Sequence, residues 1–319
     1  MQVVDERTQT LFTATLFVQE LFGRATTKAV YEEMKKCLDN FGLDERQIYS
    51  ITTDNGSNVA RICELIDAYD DISDTDDDGT EINGWDRALD GVAGVRCAMH
   101  TLQLAITAAV DNSIDKVLIK KVRQIVKKCQ TTTIRQRLVE RNVPLPTLDV
   151  ITRWGSLYDM LSSCLHIKED IDNLFAANDS LTLSSAEWEG VENILSSLEP
   201  ARKCTGNLQK RSLLAGDFLA EWMVTKRLLV SIGTPLSIAL VEFMVYREAQ
   251  LFASKAFPAA VLVDLRYQTL LKKDQKEIAM SHLISTYHKI YSLKQRYTVS
   301  SPSQSQGTGD VDNEVGNEK

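Results

Sequence analysis

The stretch Ile48-Tyr49-Ser50-Ile51-Thr52-Thr53-Asp54-Asn55-Gly56-Ser57-Asn58 decides the fold class. Gln47 to Thr53 is a β-branched run and reads as a short buried strand. The Asp-Asn-Gly after it is a strong local signal for a two-residue hairpin turn. A hairpin needs a second strand, yet Ile62, Leu65 and Ile66 recur beyond Gly56 at helical spacing. The chain therefore leaves a strand at Asp54 and enters a helix, which places this carboxylate at the carboxyl end of a buried strand.

Upstream, Val30, Met34, Cys37 and Leu38 mark a helix running to Phe41-Gly42, where Gly42 suits the left-handed position that ends helices. Before it, Thr8, Thr10, Phe12, Leu16 and Phe17 read as another strand. Strand, helix, strand, helix is the order of an α/β layer. Downstream, residues 67–92 are acidic and aperiodic, which predicts a mobile loop.

Helical periodicity resumes from Ala98 to about Val110. It returns from Lys116 to Gln130, with Leu118, Val122, Ile125 and Cys129 on the buried side. Pro144 and Pro146 enforce an extended approach to Thr152-Arg153-Trp154. Ser156 and Asp159 have the spacing of a capping box. Helical patterns then continue almost to Tyr297, with breaks expected near Ser180, Pro200, Gly233-Thr234-Pro235 and Phe257-Pro258. Ser300 to Lys319 is polar and expected to be disordered.

The chain has 319 residues, 44% of them hydrophobic, enough to bury a sizeable core. Asp5, Glu6 and Arg7 interrupt the N-terminus before any signal-peptide core can form, so neither secretion nor membrane insertion is expected. Six irregularly spaced cysteines read as reduced core thiols of a nuclear or cytoplasmic protein. The net charge of −8 argues against wholesale nucleic-acid binding. The charges are segregated, however: almost all acidic from Glu64 to Asp90 and almost all basic from Lys116 to Arg141. Lys116, Lys120, Arg123 and Lys127 recur at steps of three and four, a stripe that either contacts a DNA backbone or is a solvated helix face.

Two metal readings are weak on their ligands. Cys97 and His100 have zinc-like spacing, but Cys164 and His166, the only tempting second pair, point apart on a helix, so zinc is not expected. Asp74-Thr75-Asp76-Asp77-Asp78-Gly79 opens like a calcium loop, but Trp85 stands where the bidentate glutamate belongs.

Three blocks in order carry a resemblance. They are the Ile48–Asn58 stretch, Val95-Arg96-Cys97-Ala98-Met99-His100-Thr101-Leu102-Gln103-Leu104, and Pro146-Thr147-Leu148-Asp149-Val150-Ile151-Thr152-Arg153-Trp154-Gly155-Ser156. Together they resemble the signatures of the hAT superfamily of DNA transposases. Val263-Asp264-Leu265-Arg266-Tyr267 is similar to an element late in that family's helical insertion. The resemblance implies an α/β RNase H-like domain with a mixed sheet and helices, incomplete here, followed by a mostly α-helical insertion domain. The implied boundaries are 1–165 for the partial domain, 166–297 for the insertion and 298–319 for the tail.

The resemblance also implies site residues. Asp54 matches a carboxylate that holds Mg2+ for cutting and joining DNA, with Cys97 and His100 either supporting the site or forming a buried hydrogen-bonded pair. Trp154 matches a tryptophan that stacks on a displaced base; its plain alternative is a core aromatic at a turn. Arg153 is then a phosphate contact or a surface arginine. The family has three catalytic carboxylates, a zinc finger and a dimerisation region. Only Asp54 of the carboxylates is recognisable here, so a truncated, catalytically incomplete derivative is expected, or alternatively a domesticated protein-interaction or DNA-binding module.

Overall fold

The computed structural model describes residues 2–4, 11–20, 24, 26–53, 93–150, 153–175, 181–210 and 212–299. Asp54, the acidic stretch 67–92, the helix expected after Gly56 and the tail beyond Val299 lie outside the described residues.

Strand structure is sparse. β1 (Gln2–Val4) and β2 (Leu11–Thr13) pair antiparallel, with Gln2 opposite Thr13. β3 (Ser50–Thr53) and β4 (Ala93–Arg96) pair in parallel, Ser50 opposite Ala93 and Thr53 opposite Arg96. The two pairs are separate sheets. The expected mixed RNase H-like sheet is therefore not seen among the described residues, and the chain is mostly helical. The strand expected through Phe17 stops at Thr13, because the residues beyond it have no buried face: Phe17 and Val18 are exposed.

α1 (Thr27–Asn40) starts where the Thr26 hydroxyl accepts the Ala29 N–H at 3.2 Å. It ends at Phe41, and Gly42 takes the left-handed conformation at φ 63° while the Leu43 N–H reaches back to the Leu38 carbonyl. Asp44 and Gln47 form a reciprocal capping box around a short 3-10 turn, which delivers the chain into β3.

The remainder is a helical assembly. α2 (Ala98–Asn112), α3 (Lys116–Cys129), α4 (Thr132–Glu140) and α5 (Trp154–His166) precede the short α6 (Lys168–Leu174). α7 (Ser185–Leu208), α8 (Ala215–Ile232), α9 (Pro235–Phe252), α10 (Ala256–Val263) and α11 (Lys273–Val299) complete it. α7 packs on α2, α3, α5, α8 and α9, and α2 packs directly on α9. One core cluster, from Leu102 to Leu271, thus runs through the helices on both sides of position 165.

Several helix ends differ from the sequence expectation. No break occurs at Pro200: α7 runs through it, with Pro200 buried. Proline removes one backbone donor, and here the apolar stripe Trp188, Val191, Ile194, Leu198 and Cys204 outweighs that loss. The break expected near Phe257-Pro258 is present just before it, at 253–255 between α9 and α10, and Pro258 sits in the first turn of α10, where its missing N–H costs little. The expected Ser156–Asp159 capping box is absent. α5 begins earlier, at Trp154, and the Ser156 hydroxyl donates back to the Arg153 and Val150 carbonyls at 2.6 and 3.0 Å. The break at Gly233-Thr234-Pro235 is present, with Gly233 left-handed at φ 70°, Thr234 capping α9 and Pro235 in its first turn. α4 has no counterpart among the expected helices, since only Ile134 and Leu138 give it an apolar face.

Several buried polar groups are matched across helices. Trp188 Nε1 donates to Asp172 at 3.1 Å, Trp222 Nε1 donates to Glu248 at 3.0 Å, and the Ser197 and Thr234 hydroxyls meet at 2.6 Å. Burial pushes the thiols of Cys129 and Cys204 up to about 11 and that of Cys164 to about 12, which keeps them protonated and unreactive near neutrality. Among the described residues no helix is long and apolar enough to cross a membrane. Leu198 is fully buried at the middle of α7, so Leu198→Ala is expected to lower the unfolding free energy by about 2–5 kcal/mol in urea titration. A loss below about 1 kcal/mol would place the centre of the core elsewhere.

Candidate nucleic-acid interface

The basic stripe of α3 is resolved into two kinds of cation. Arg123 turns toward the segment before α5, where Nε and Nη2 bind both oxygens of Asp149 at 2.8 and 2.5 Å. The Asp149 side chain is 2% exposed, so this is a two-pronged ion pair shielded from water, and the bond to Asp149 holds Arg123 more firmly protonated than usual. Lys121, absent from the expected stripe, bridges to Glu187 at 2.7 Å and ties α3 to the first turn of α7. Lys116, Lys120 and Lys127 are exposed on the remaining face; Lys116 lies 3.5 Å from the equally exposed Asp111. The four expected DNA-contacting cations are thus three lysines in solvent and one arginine engaged inside the fold.

The block around Trp154 is assembled by the same pair. Residues 143–150 run extended along α5, held by Gln130 donating to the Pro146 carbonyl at 2.7 Å and by the Thr147 N–H donating to Ser163 at 3.0 Å. Arg123–Asp149 and the Ser156–Val150 bonds then fix the turn into α5. Trp154 is 7% exposed and belongs to the core cluster, whereas Arg153 is exposed at the cap of α5. Arg202 comes close to Gly155: a Cβ there would lie 2.8 Å from Nη1, the far end of the side chain that bonds Asp159 at 3.0 Å. Arg202 lies far along the chain, and no periodicity in the sequence signals its place at this turn.

Cys97 caps α2 without a side-chain bond, and its N–H donates to the Thr53 carbonyl at 2.8 Å. This brings Cys97 to the end of β3, next to the residue that precedes Asp54 in the chain. His100 lies in the first turn of α2 and is half-buried. Asp54 itself lies outside the described residues. Among the described residues no three His, Cys, Asp or Glu side chains converge as metal ligands, so the donor set for a magnesium ion is not assembled there.

The Asp264-Leu265-Arg266-Tyr267 block forms a clasp on the start of α8. Asp264 accepts from the backbone and guanidinium of Arg266, Tyr267 donates to Asp217 at 3.0 Å, and Asp217 accepts the Leu214 N–H at 3.1 Å. The Arg266 hydrogen bond holds the Asp264 carboxyl below its ordinary range. A Cβ on the buried Gly216 would overlap the Tyr267 ring and lie 3.0 Å from Asp264.

The family model of the ZBED1 RNase-like helical domain matches residues 95–197, from β4 through most of α7. No curated protein matches the chain. The matched stretch contains the Val95–Leu104 and Pro146–Ser156 blocks together with the Arg123–Asp149 pair, and it supports a hAT-related family.

The Arg123–Asp149 geometry predicts an asymmetry. Arg123→Leu should cost about 3 kcal/mol, because it strands the buried Asp149 charge. Asp149→Asn should cost less, since it leaves the uncompensated charge on Arg123, whose side chain is 26% exposed; equal losses in denaturant melts would contradict the asymmetry. At the α3–α7 bridge, the Glu187 carboxyl is held below its ordinary value of 4.5, first by Lys121 and then by the Ser184 backbone. A depressed folded value adds stability that is present above 4.5 and lost as pH falls through the depressed value. The melting-temperature difference between wild type and Glu187→Gln should therefore be present at pH 6 and shrink below about pH 4.5; a difference independent of pH would overturn the ion-pair account.

Proposed function

We propose that this protein derives from a hAT transposase, a metal-dependent enzyme of DNA cut-and-paste transposition, and that it contacts the DNA backbone through Lys116, Lys120 and Lys127. The observation that carries the reading is the match over residues 95–197, which takes in two of the three ordered sequence blocks. In support, β3 and β4 are parallel and α2 follows β4 after a single residue, an arrangement in keeping with an RNase H-like α/β layer. The reading gives Asp54 the role of a magnesium-binding carboxylate, with Cys97 and His100 beside it. Arg153, exposed at the entry to α5, joins the lysines as a phosphate contact.

Trp154 favours a second reading, a binding module without chemistry. A residue 7% exposed must leave the core before it can stack on a displaced base. An excision or strand-transfer assay with magnesium separates the two: activity abolished by Asp54→Ala selects the enzyme, and intact DNA alongside retained binding selects the module.

The backbone contact has its own signature. Each lysine that neutralises a phosphate releases counterions, so Lys116→Ala, Lys120→Ala and Lys127→Ala should each reduce the slope of log affinity against log salt by about 0.9 on duplex DNA. Binding that is insensitive to salt, or undetectable at low salt, would remove α3 as the interface.

A further inference from the structure

The corner between α2 and α3 inverts the usual pattern of burial. Ile114 and Val117 are 82% and 78% exposed, whereas Asp115 between them is half-buried, and that burial raises its carboxyl above the ordinary range. Single exposed apolar residues are ordinary on a protein surface. These two share one turn, and the turn is firmly held. The Ser113 hydroxyl and the Asn112 amide donate back to the Val110 and Ala108 carbonyls at 3.2 and 2.8 Å, and the buried Ala109 and Ile119 anchor the helices on either side. The result is an apolar knob two side chains wide that needs no ordering before it makes a contact.

The knob stands at one end of a cationic face. Lys120 and Gln124 follow Val117 three and seven residues on, so they share its outward side, and Lys116 lies in the same turn. Asp111, 3.5 Å from Lys116, is as exposed as the lysine, and a pair so open to water is weak enough to exchange for a phosphate. Lysines beside an apolar tip match a duplex, in which the stacked bases lie between two strands of phosphate. Proteins that bend DNA insert isoleucine, leucine, methionine or phenylalanine between adjacent base pairs in this way. A lipid surface calls for a broader apolar face than two side chains, and a stable protein interface buries a far larger core.

We infer that Ile114 and Val117 form a wedge that enters between base pairs of duplex DNA while Lys116 and Lys120 hold the flanking phosphates. The inference rests on the reading of α3 as the DNA interface, and it adds a preference for base steps that open easily. Fluorescence anisotropy of the full chain tests it on two short duplexes of one sequence, fully paired or with a central mismatch whose step costs less to unstack. The mismatched duplex should bind about tenfold tighter, because part of the unstacking cost is already met. Ile114→Ser combined with Val117→Ser should erase that preference while leaving the salt slope and the circular dichroism unchanged, since both positions are exposed. Lys120→Ala should do the reverse, lowering the slope and keeping the preference. A 2-aminopurine beside the central step should brighten with the wild-type chain and not with the double variant. Equal affinity for the two duplexes, or a preference that survives the double change, would overturn the wedge and leave the lysine contact standing. Binding that is undetectable or insensitive to salt would remove both. Capture by phosphatidylserine vesicles that the double variant loses would assign the knob to a lipid surface and overturn the wedge as well.

Discussion

Helix α7 carries a buried stripe along its length that five other helices cover, and the arrangement of the rest depends on that burial. Trp188, Val191, Ile194, Leu198, Ala201 and Cys204 are each no more than 1% exposed. A stripe of that width cannot be covered by one neighbour, so α2, α3, α5, α8 and α9 share it. The demand is strong enough to carry the helix through Pro200. At Gly190 a Cβ would lie 2.7 Å from the tip of the Leu118 side chain of α3, so the two helices approach closely there. Because α9 also contacts α2, the helices beyond position 165 complete the core of those before it.

With the apolar core so shared, polar bonds select which loops lie where. The extended 143–150 segment has no sheet partner among the described residues and is placed instead by side chains: Gln130, Ser163, Ser156 and above all Arg123 through Asp149. A buried carboxylate is tolerated only if its charge is met, so Asp149 commits Arg123, and that commitment removes one cation from the outer face of α3. The same logic recurs at the clasp, where Tyr267 and Arg266 both converge on Asp217 at the start of α8. Conspicuous sequence blocks thus coincide with places where a turn is fixed by side chains from distant parts of the chain.

The helices are legible in the sequence wherever one face is uniformly apolar. α3 appears within a residue of its expected limits because Val122, Ile125 and Cys129 are fully buried, and the Gly233–Pro235 break is legible because its residues impose backbone conformation locally. Spacing misplaces the start of α5 because Ser156 bonds backward to Arg153 and Val150, a choice fixed by the extended segment. At the candidate site, periodicity groups Lys116, Lys120 and Lys127, which are all exposed, but it cannot separate Arg123 from them, since its partner lies 26 residues away. Lys121 and Arg202 escape it for the same reason: each is defined by a contact with another helix. Trp154 has two readings at the sequence level, and its burial favours the core one.

Burial of Trp154 and exposure of the lysines together constrain how any DNA contact is organised. A tryptophan in the core contributes to the turn that precedes α5, and that turn is held to α3 by Arg123. Arg153 on the turn and Lys120 and Lys127 on α3 reach solvent. Such a surface reads charge and spacing along a backbone rather than base identity. The overall charge of −8 then acts against it at long range, since an acidic chain repels a polyanion until the basic face is oriented toward it. The proposed contact would therefore rest on local alignment of a few lysines on α3, a helix that Lys121–Glu187 and the core tie to α7.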